Sequence, residues 1–355
     1  MASSDLAPDS TGSDYPSPVD YSGYTNSPGY VDSLSTYARD CTWEKCQLRM
    51  AYFYYRPSKG VNTAFAVLFG ISALLFLVQG IASRKRWLGF TIAMVAGCAL
   101  EVVGYAGRIR AWTDLYTDGP FLTQVVCLTI APAFLAAGIY LCLSRIVTIF
   151  GRENSRISAR AYPIIFMSCD FLSLVLQAAG GALAINETKD STGPQLGTDL
   201  MVAGLAFQVF TMLTFIILAL DFAIRTLGRI RQLGSANALD PRHAALRKSW
   251  AFKGFLTVLS LATLLIFTRC VFRVAELSHG WHGPLIQKQH YFIGLESAIV
   301  CVAVLLLNLF HPSICFGESG NPASRPRESR ARTWYGRKVK GVSEQSSAEE
   351  LKDHV

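Results

Sequence analysis

Charged residues that lie inside long apolar segments are the residues of this sequence most able to do chemistry. A charge at the centre of a lipid bilayer costs about 2.5–3.5 kcal/mol on insertion scales, so such residues usually face protein or water. They can bind a charged or hydroxylated headgroup, carry a proton, or pair with one another. Six residues lie well inside apolar segments: Glu101, Asp170, Arg269, Arg273, Glu276 and Glu296.

Helical spacing sorts the polar residues into groups. Glu101, Tyr105 and Arg108 are separated by four and then three residues, which places them on one face of a helix. The segment from Arg269 to Glu276 repeats that spacing. Both groups fall near the ends of their segments that we expect to lie outside the cell. Together with Glu296 they contain three acids and three bases.

A second group lies in the inner half of its segment. Asp170, Ser173 and Gln177 share one helical face, and Gln208 either faces a cavity or links two helices. The candidate substrate-binding residues are therefore Glu101, Tyr105, Arg108, Asp170, Gln177, Gln208, Arg269, Arg273, Glu276 and Glu296.

Two interpretations of these charges stay open. Buried charges pair by default, so the residues can form an internal network that only holds helices together. Alternatively, they line a polar cavity that opens outward and admits a headgroup. Pro132 lies within the third segment, where it removes one backbone N–H and frees a carbonyl. The kink that this predicts serves packing and gating equally well.

Seven apolar segments must position these residues. About 20 helical residues cross a hydrocarbon core, and backbone groups in lipid are satisfied by helices. We predict an all-α, polytopic membrane bundle of seven transmembrane helices. The predicted spans are 61–81, 87–107, 121–149, 162–185, 200–224, 251–277 and 290–310.

Composition supports this class and excludes others. Of the 355 residues, 51% are apolar and 16% are charged, whereas soluble domains average roughly a quarter charged residues. A water-soluble enzyme and a nucleic-acid-binding protein are both disfavoured, despite the net charge of +8.

The loop charges predict the orientation of the bundle. Loops 82–86, 150–161 and 225–250 carry twelve Lys and Arg residues, whereas the alternate loops carry four. Cytoplasmic loops are the basic ones, so the N-terminus is expected outside and the C-terminus in the cytoplasm. Residues 1–60 are then an extracellular segment, largely disordered, residues 61–312 the membrane domain, and residues 313–355 a disordered cytoplasmic tail.

Two modifications are predicted outside the spans. Cys41 and Cys46 can form a disulfide in an oxidising compartment or remain two free thiols. Asn186 begins the only Asn-x-Thr/Ser glycosylation sequon, next to the end of a span. No ATP-binding loop, esterase elbow or zinc-binding spacing occurs. We therefore predict no enzyme activity, no cofactor and no metal site.

The ordered set of motifs resembles the fungal RTA-like family of lipid-translocating exporters, which includes sphingoid long-chain-base exporters and 7-aminocholesterol-resistance proteins. One stretch departs from the family pattern, because Gln289 and Ile293 replace an expected Glu and Tyr, and Glu296 an expected Asp. The motifs are Glu101-x-x-Gly104-Tyr105-x-x-Arg108, Ala131-Pro132, Asp170 with Ser173 and Gln177, Gly204 with Gln208, Phe272-Arg273-x-x-Glu276 and His311-Pro312.

The resemblance implies a plasma-membrane protein that exports or translocates amphipathic lipids of the sphingoid-base type, toxic amphiphiles or a fungal secondary metabolite. Resistance would be the cellular outcome. The implied partners are a lipid or amphiphilic small molecule and the membrane, with no nucleic acid. Uphill transport would need a gradient, for which Asp170 or Glu101 can carry a proton. A seven-helix receptor or sensor of membrane stress, without transport activity, is the alternative, and a purely structural membrane protein is a third.

Overall fold

A computed structural model describes residues 55–83, 86–115, 117–187, 196–239, 243–278 and 289–316. Seven helices in this part of the chain are long and apolar enough to cross a membrane, which confirms the predicted all-α bundle. Cys41 and Cys46 lie outside the described residues. Six of the helices are α1 (Lys59–Ala82), α2 (Leu88–Arg110), α3 (Asp118–Phe150), α4 (Ala161–Glu187), α5 (Leu196–Ala238) and α6 (Trp250–Ser278).

The seventh helix, α7, changes its hydrogen-bonding pattern along its length. It begins as a single α-turn over Gln289–Tyr291, continues as a π-helix over Phe292–Ala298, and ends as an α-helix over Ile299–Leu309. A π-helix places the hydrogen-bonded residues five positions apart and occurs frequently at functional sites.

The helix bounds differ from the apolar segments mainly at α5 and α4. The predicted fifth span ends at residue 224, but α5 continues to Ala238 with a break at Gly234, where φ is 73°. Residues 225–233 are polar enough to leave a membrane yet include good helix formers, so the helix outlasts the apolar segment. Glycine suits the break because positive φ carries no Cβ penalty. In α4 the last turn includes Asn186, which was predicted to begin a loop.

Consecutive helices run in opposite directions because their connections are short relative to their length. At one end Arg56 Nε donates to the Trp112 carbonyl at 3.3 Å. At the other end Gln79 Nε2 donates to the Asn308 carbonyl at 3.2 Å. We call the end at which α1 begins the Lys59 end and the opposite end the Ala82 end.

The Ala82 end is closed by an aromatic cluster. His311 is fully buried and packs edge-on against Phe90 with ring centroids 5.4 Å apart. Its imidazole accepts a hydrogen bond from the Ser313 backbone N–H at 3.2 Å and so caps the short helix Pro312–Cys315. Pro312 suits the first helical position because that position needs no N–H donor. The His311-Pro312 pair therefore starts a short helix at the Ala82 end, where the bundle ends.

Helices α4 and α5 approach each other closely. A Cβ atom placed on Gly180 would lie 2.5 Å from the backbone nitrogen of Met201. The contact is therefore available only to a residue without a side chain, and it is of the small-residue type common between membrane helices. It brings the polar faces of α4 and α5 together.

Candidate functional site

Five charged side chains from α2, α6 and α7 meet in the half of the bundle nearer the Lys59 end. Arg269 Nη2 lies 3.3 Å from Glu296 Oε1 and 3.7 Å from Glu101 Oε1. Arg273 Nη1 lies 2.6 Å from Glu276 Oε2 and 3.6 Å from Glu296 Oε2. We call these five residues the ion network. It contains three carboxylates and two guanidinium groups.

The ion network is deeply buried. The side chains of Glu101, Arg269 and Glu296 are each only 1% exposed. In such surroundings removal of one partner leaves the other charge uncompensated, at a cost of about 3–5 kcal/mol. The five residues therefore depend on one another for their charged states.

Arg269 also donates a hydrogen bond at the proline site of the continuous helix α3. Pro132 has no N–H, so the Leu128 carbonyl four residues earlier loses its usual helical donor. Arg269 Nη2 donates to that carbonyl at 2.6 Å. A single guanidinium group thus joins the proline site of α3 to the carboxylates of α2 and α7.

The π-helix of α7 carries Glu296 into the ion network. Its hydroxyl-bearing neighbour Ser297 donates to the Phe292 carbonyl, five residues back, at 3.3 Å. Phe292 in turn lies under the guanidinium group of Arg108, with 3.7 Å between the Arg108 Cζ atom and the ring centroid. The π-helix therefore supports both a carboxylate and an aromatic platform for a buried arginine.

Arg108 is directed towards α1 and the segment before it. Its Nε donates to Asn62 Oδ1 at 3.2 Å, and its Nη2 donates to the Tyr55 hydroxyl at 2.8 Å. Tyr105, one turn earlier, stacks between Phe65 and Phe69 of α1. The predicted polar face of α2 therefore has two sets of partners: Glu101 faces Arg269 in the ion network, whereas Arg108 faces Tyr55 and Asn62.

Asp170 lies in a second polar site, formed by α3, α4 and α5. Tyr140 donates its hydroxyl hydrogen to Asp170 Oδ2 at 2.9 Å, and Thr211 Oγ1 lies 3.2 Å from Asp170 Oδ1. Two turns after Asp170 on α4, Gln177 Nε2 donates to Oε1 of Gln208, which lies one turn before Thr211 on α5, at 3.1 Å. We call these five residues the Asp170 site. Asp170 is 4% exposed, and within the described chain no basic nitrogen lies within 4 Å of it.

A small crevice lies between the two sites. It has room for about one water molecule. Pro132 of α3, Gln208 of α5 and Arg273 of α6 line it together. The crevice thus borders one residue of the Asp170 site and two arginines of the ion network, the second being Arg269.

Several buried polar atoms of the two sites have no hydrogen-bond partner within the described part of the chain. Buried polar groups normally find a partner, protein or water. Two donors and three acceptors therefore remain available to water or to a polar ligand. These atoms are Arg269 Nε, Arg273 Nε, Glu101 Oε1, Glu296 Oε2 and Gln177 Oε1.

Sequence reasoning missed some contributors to these sites. Tyr140 and Thr211 were not among the candidate site residues, although Thr211 lies three residues after Gln208 and so shares its helical face. Asn62 was missed as a partner of Arg108. The side chain of Asn186 lies outside the described part, and its glycosylation stays a prediction.

Comparison with known proteins identifies the family of this chain. The family model described as "RTA1 like protein" matches residues 94–319, which include all ten candidate substrate-binding residues. The chain belongs to the RTA1-like family. The described fold of this RTA1-like protein, a seven-helix bundle, fits a multi-pass membrane protein.

Three curated relatives are proteins of Saccharomyces cerevisiae. The sphingoid long-chain base transporter RSB1 of strain Lalvin EC1118 is 34% identical over 281 residues, which cover 73% of each chain. Protoporphyrin uptake protein 1 is 29% identical over 72% of this chain and 89% of its own. Protein RTA1 is 28% identical over 73% of this chain and 86% of its own. No solved structure matches this RTA1-like chain.

Proposed function

We propose that this RTA1-like protein exports amphipathic lipids of the sphingoid-base type from the inner to the outer half of the plasma membrane. The single observation that carries the proposal is the incomplete pairing of Glu101 in the buried ion network: its Oε1 lies 3.7 Å from Arg269 and has no hydrogen-bond partner in the described chain. A ligand that brings a positive charge with N–H donors would complete that pairing. A sphingoid base has an ammonium group beside hydroxyls, which is the required chemistry.

Glu101 is the carboxylate best placed to receive the ammonium group. Its distance to Arg269, 3.7 Å, is the longest of the ion pairs in the network, and its Oε1 has no hydrogen-bond partner in the described chain. The lipid hydroxyls would accept hydrogen bonds from Arg269 Nε and Arg273 Nε. The apolar tail would leave the bundle between helices and stay in lipid.

The closed state of the crevice requires a movement during transport. Space for one water molecule does not admit a lipid headgroup. The α3 helix is weakest at Pro132, where Arg269 replaces the missing backbone donor. Binding of an ammonium group to Glu101 would loosen Arg269 and with it the support of the α3 carbonyl, so headgroup entry and bending of α3 would occur together.

We propose that the Lys59 end faces the cell exterior. The basic loops lie at the Ala82 end, as expected for the cytoplasmic side. The ion network would then be nearer the outside, and resistance to toxic amphiphiles would follow from their removal from the cytoplasmic leaflet.

Reconstitution tests the proposal. Purified protein in liposomes should move fluorescent phytosphingosine between leaflets. Glu101→Gln should lower that flux at least tenfold, because the amide keeps the shape but removes the attraction for the ammonium group. Asp221→Asn is the matched control, since Asp221 pairs with Arg156 on an exposed surface of the bundle, and should transport like the wild type.

Two results would overturn the proposal. Equal flux in Glu101→Gln and wild type, at equal reconstituted amounts, would exclude Glu101 as the ammonium-binding group. Saturable binding of phytosphingosine by the wild type without any flux would exclude transport and favour the receptor or sensor of membrane stress.

A further inference from the structure

We propose that Asp170 is the proton-binding site of this bundle and that it carries a proton in the conformation described here. The hypothesis that a buried acid carries a proton concerned Glu101 and Asp170 equally, and the structure distinguishes them. Glu101 faces Arg269 in the ion network. The surroundings of Asp170 are of a different kind.

Every polar group found around Asp170 is neutral. The titratable groups that face it are Tyr140 on α3 and Cys270 on α6, with Cys169 as its neighbour on α4. On α5 it meets the hydroxyl of Thr211. An isolated ionised carboxylate is strongly disfavoured in such an environment, and a buried acid takes up a proton in preference.

The hydrogen-bond geometry around Thr211 gives an independent argument. Thr211 Oγ1 has one hydrogen and lies 2.8 Å from the Gln208 carbonyl and 3.2 Å from Asp170 Oδ1. If the Thr211 hydrogen forms the shorter bond, to the Gln208 carbonyl, none is left for the contact with Asp170. An ionised Asp170 Oδ1 and the Thr211 oxygen would then face each other as two acceptors without a hydrogen between them. A proton on Asp170 Oδ1 removes the conflict, because Oδ1 then donates to Thr211 while Oδ2 accepts from Tyr140.

We place the exchange of the proton on the side of the crevice, because polar side chains of α4 and α5 extend from Asp170 in that direction. Gln177 Oε1 has no hydrogen-bond partner in the described part of the chain and is available to a water molecule. Gln177 donates to Gln208, which borders the crevice beside Arg273. Asp170 is therefore buried yet one glutamine pair away from the space next to the ion network.

Loss of the proton from Asp170 would rearrange its contact with Thr211. An ionised Asp170 would take the Thr211 hydrogen away from the Gln208 carbonyl and so alter the face of α5 that borders the crevice. Movement of the lipid and of a proton would then be linked through α5. This linkage rests on the proposed transport function, whereas protonation of Asp170 does not.

Infrared spectroscopy of the full-length protein in lipid nanodiscs tests protonation directly. A protonated carboxylic acid gives a C=O stretching band that a carboxylate lacks. At neutral pH the wild type should show such a band, and Asp170→Asn should lose it. The matched variants Asp221→Asn and Glu101→Gln should retain it.

Tyr140→Phe supplies a second readout in case Asp170→Asn fails to fold. Tyr140 donates to the oxygen that would form the C=O group, so its removal should shift the band to higher frequency without abolishing it. A merely structural role for Asp170 predicts no such shift. Absence at neutral pH of any band that depends on Asp170 or responds to Tyr140→Phe would overturn the proposal. So would a band that vanishes on addition of Na⁺, which would indicate a sodium site.

Flux measurements separate the two proposals. If phytosphingosine flux in proteoliposomes responds to a pH gradient in the wild type but not in Asp170→Asn, the proton is linked to transport. Flux that ignores the gradient would overturn the linkage while the infrared result still decides protonation. Absence of flux would overturn the proposed function and leave the protonation test valid.

Discussion

The ion network and the Asp170 site bury carboxylates in the same bundle by two different means. In the ion network the carboxylates face guanidinium groups from other turns and other helices. Asp170 instead meets the hydroxyls of Tyr140 and Thr211. Burial alone therefore does not determine whether a carboxyl group is ionised. Its partners do, because guanidinium groups balance a negative charge and hydroxyl groups favour the neutral acid.

The largest effect on stability is expected from the ion network. Arg269→Met keeps an apolar chain of similar length but removes the positive partner of Glu101, one of the two arginines beside Glu296 and the donor to the Leu128 carbonyl. We expect a loss of about 3–5 kcal/mol in the free energy of unfolding, measured by chemical denaturation in detergent micelles. Arg156→Met, which removes an exposed arginine, is the control. Equal stability of Arg269→Met and wild type would show that charge pairing does not hold these helices.

A smaller effect is expected from the Asp170 site. Asp170→Leu leaves the hydroxyl hydrogen of Tyr140 without its carboxyl acceptor and the hydroxyl oxygen of Thr211 without its donor, at a cost of about 1–3 kcal/mol. Asp170→Asn should cost less than about 1 kcal/mol, since its amide can accept from Tyr140 and donate to Thr211 as a protonated acid does. The same denaturation assay compares them. A larger loss for Asn than for Leu would contradict the neutral-site interpretation and erase the contrast with the ion network.

The smallest effect on stability is expected from an ion pair at the surface, which is a reference for the effects at the two buried sites. Asp221 accepts hydrogen bonds from Arg156 at 2.9 and 3.1 Å, and these bonds raise the pKa of Arg156 above its ordinary value. Arg156 therefore stays charged throughout the neutral range, but water screens the exposed pair. Asp221→Asn should leave the melting temperature unchanged at high salt. A large shift there would mean that surface and buried pairs in this bundle do not differ as proposed.

The sequence predicts the seven helices well because long apolar segments have few alternatives in a membrane. It also groups the ion network, since charges at equal depth on helices of alternating direction meet at the same end. The continuation of α5 past residue 224 is missed because helix formation does not require apolar residues. Tyr140 and Thr211 are missed because a lone tyrosine or threonine in an apolar helix contrasts less with its neighbours than a charged residue or a glutamine does. The sequence does not predict where Arg108 points, because its partner Asn62 is a neutral residue of α1 that the pattern of charges does not single out.

The π-helix of α7 has a consequence for the comparison of related sequences. Loss of one residue between Phe292 and Glu296 would turn the residues before it by about 100° relative to those after it. Phe292 would then no longer lie under Arg108 while Glu296 kept its place beside Arg269. A one-residue gap in this stretch of a relative therefore signals different contacts in the half of the bundle nearer the Lys59 end, even where all the neighbouring residues align. Chain length here carries information that residue identity does not.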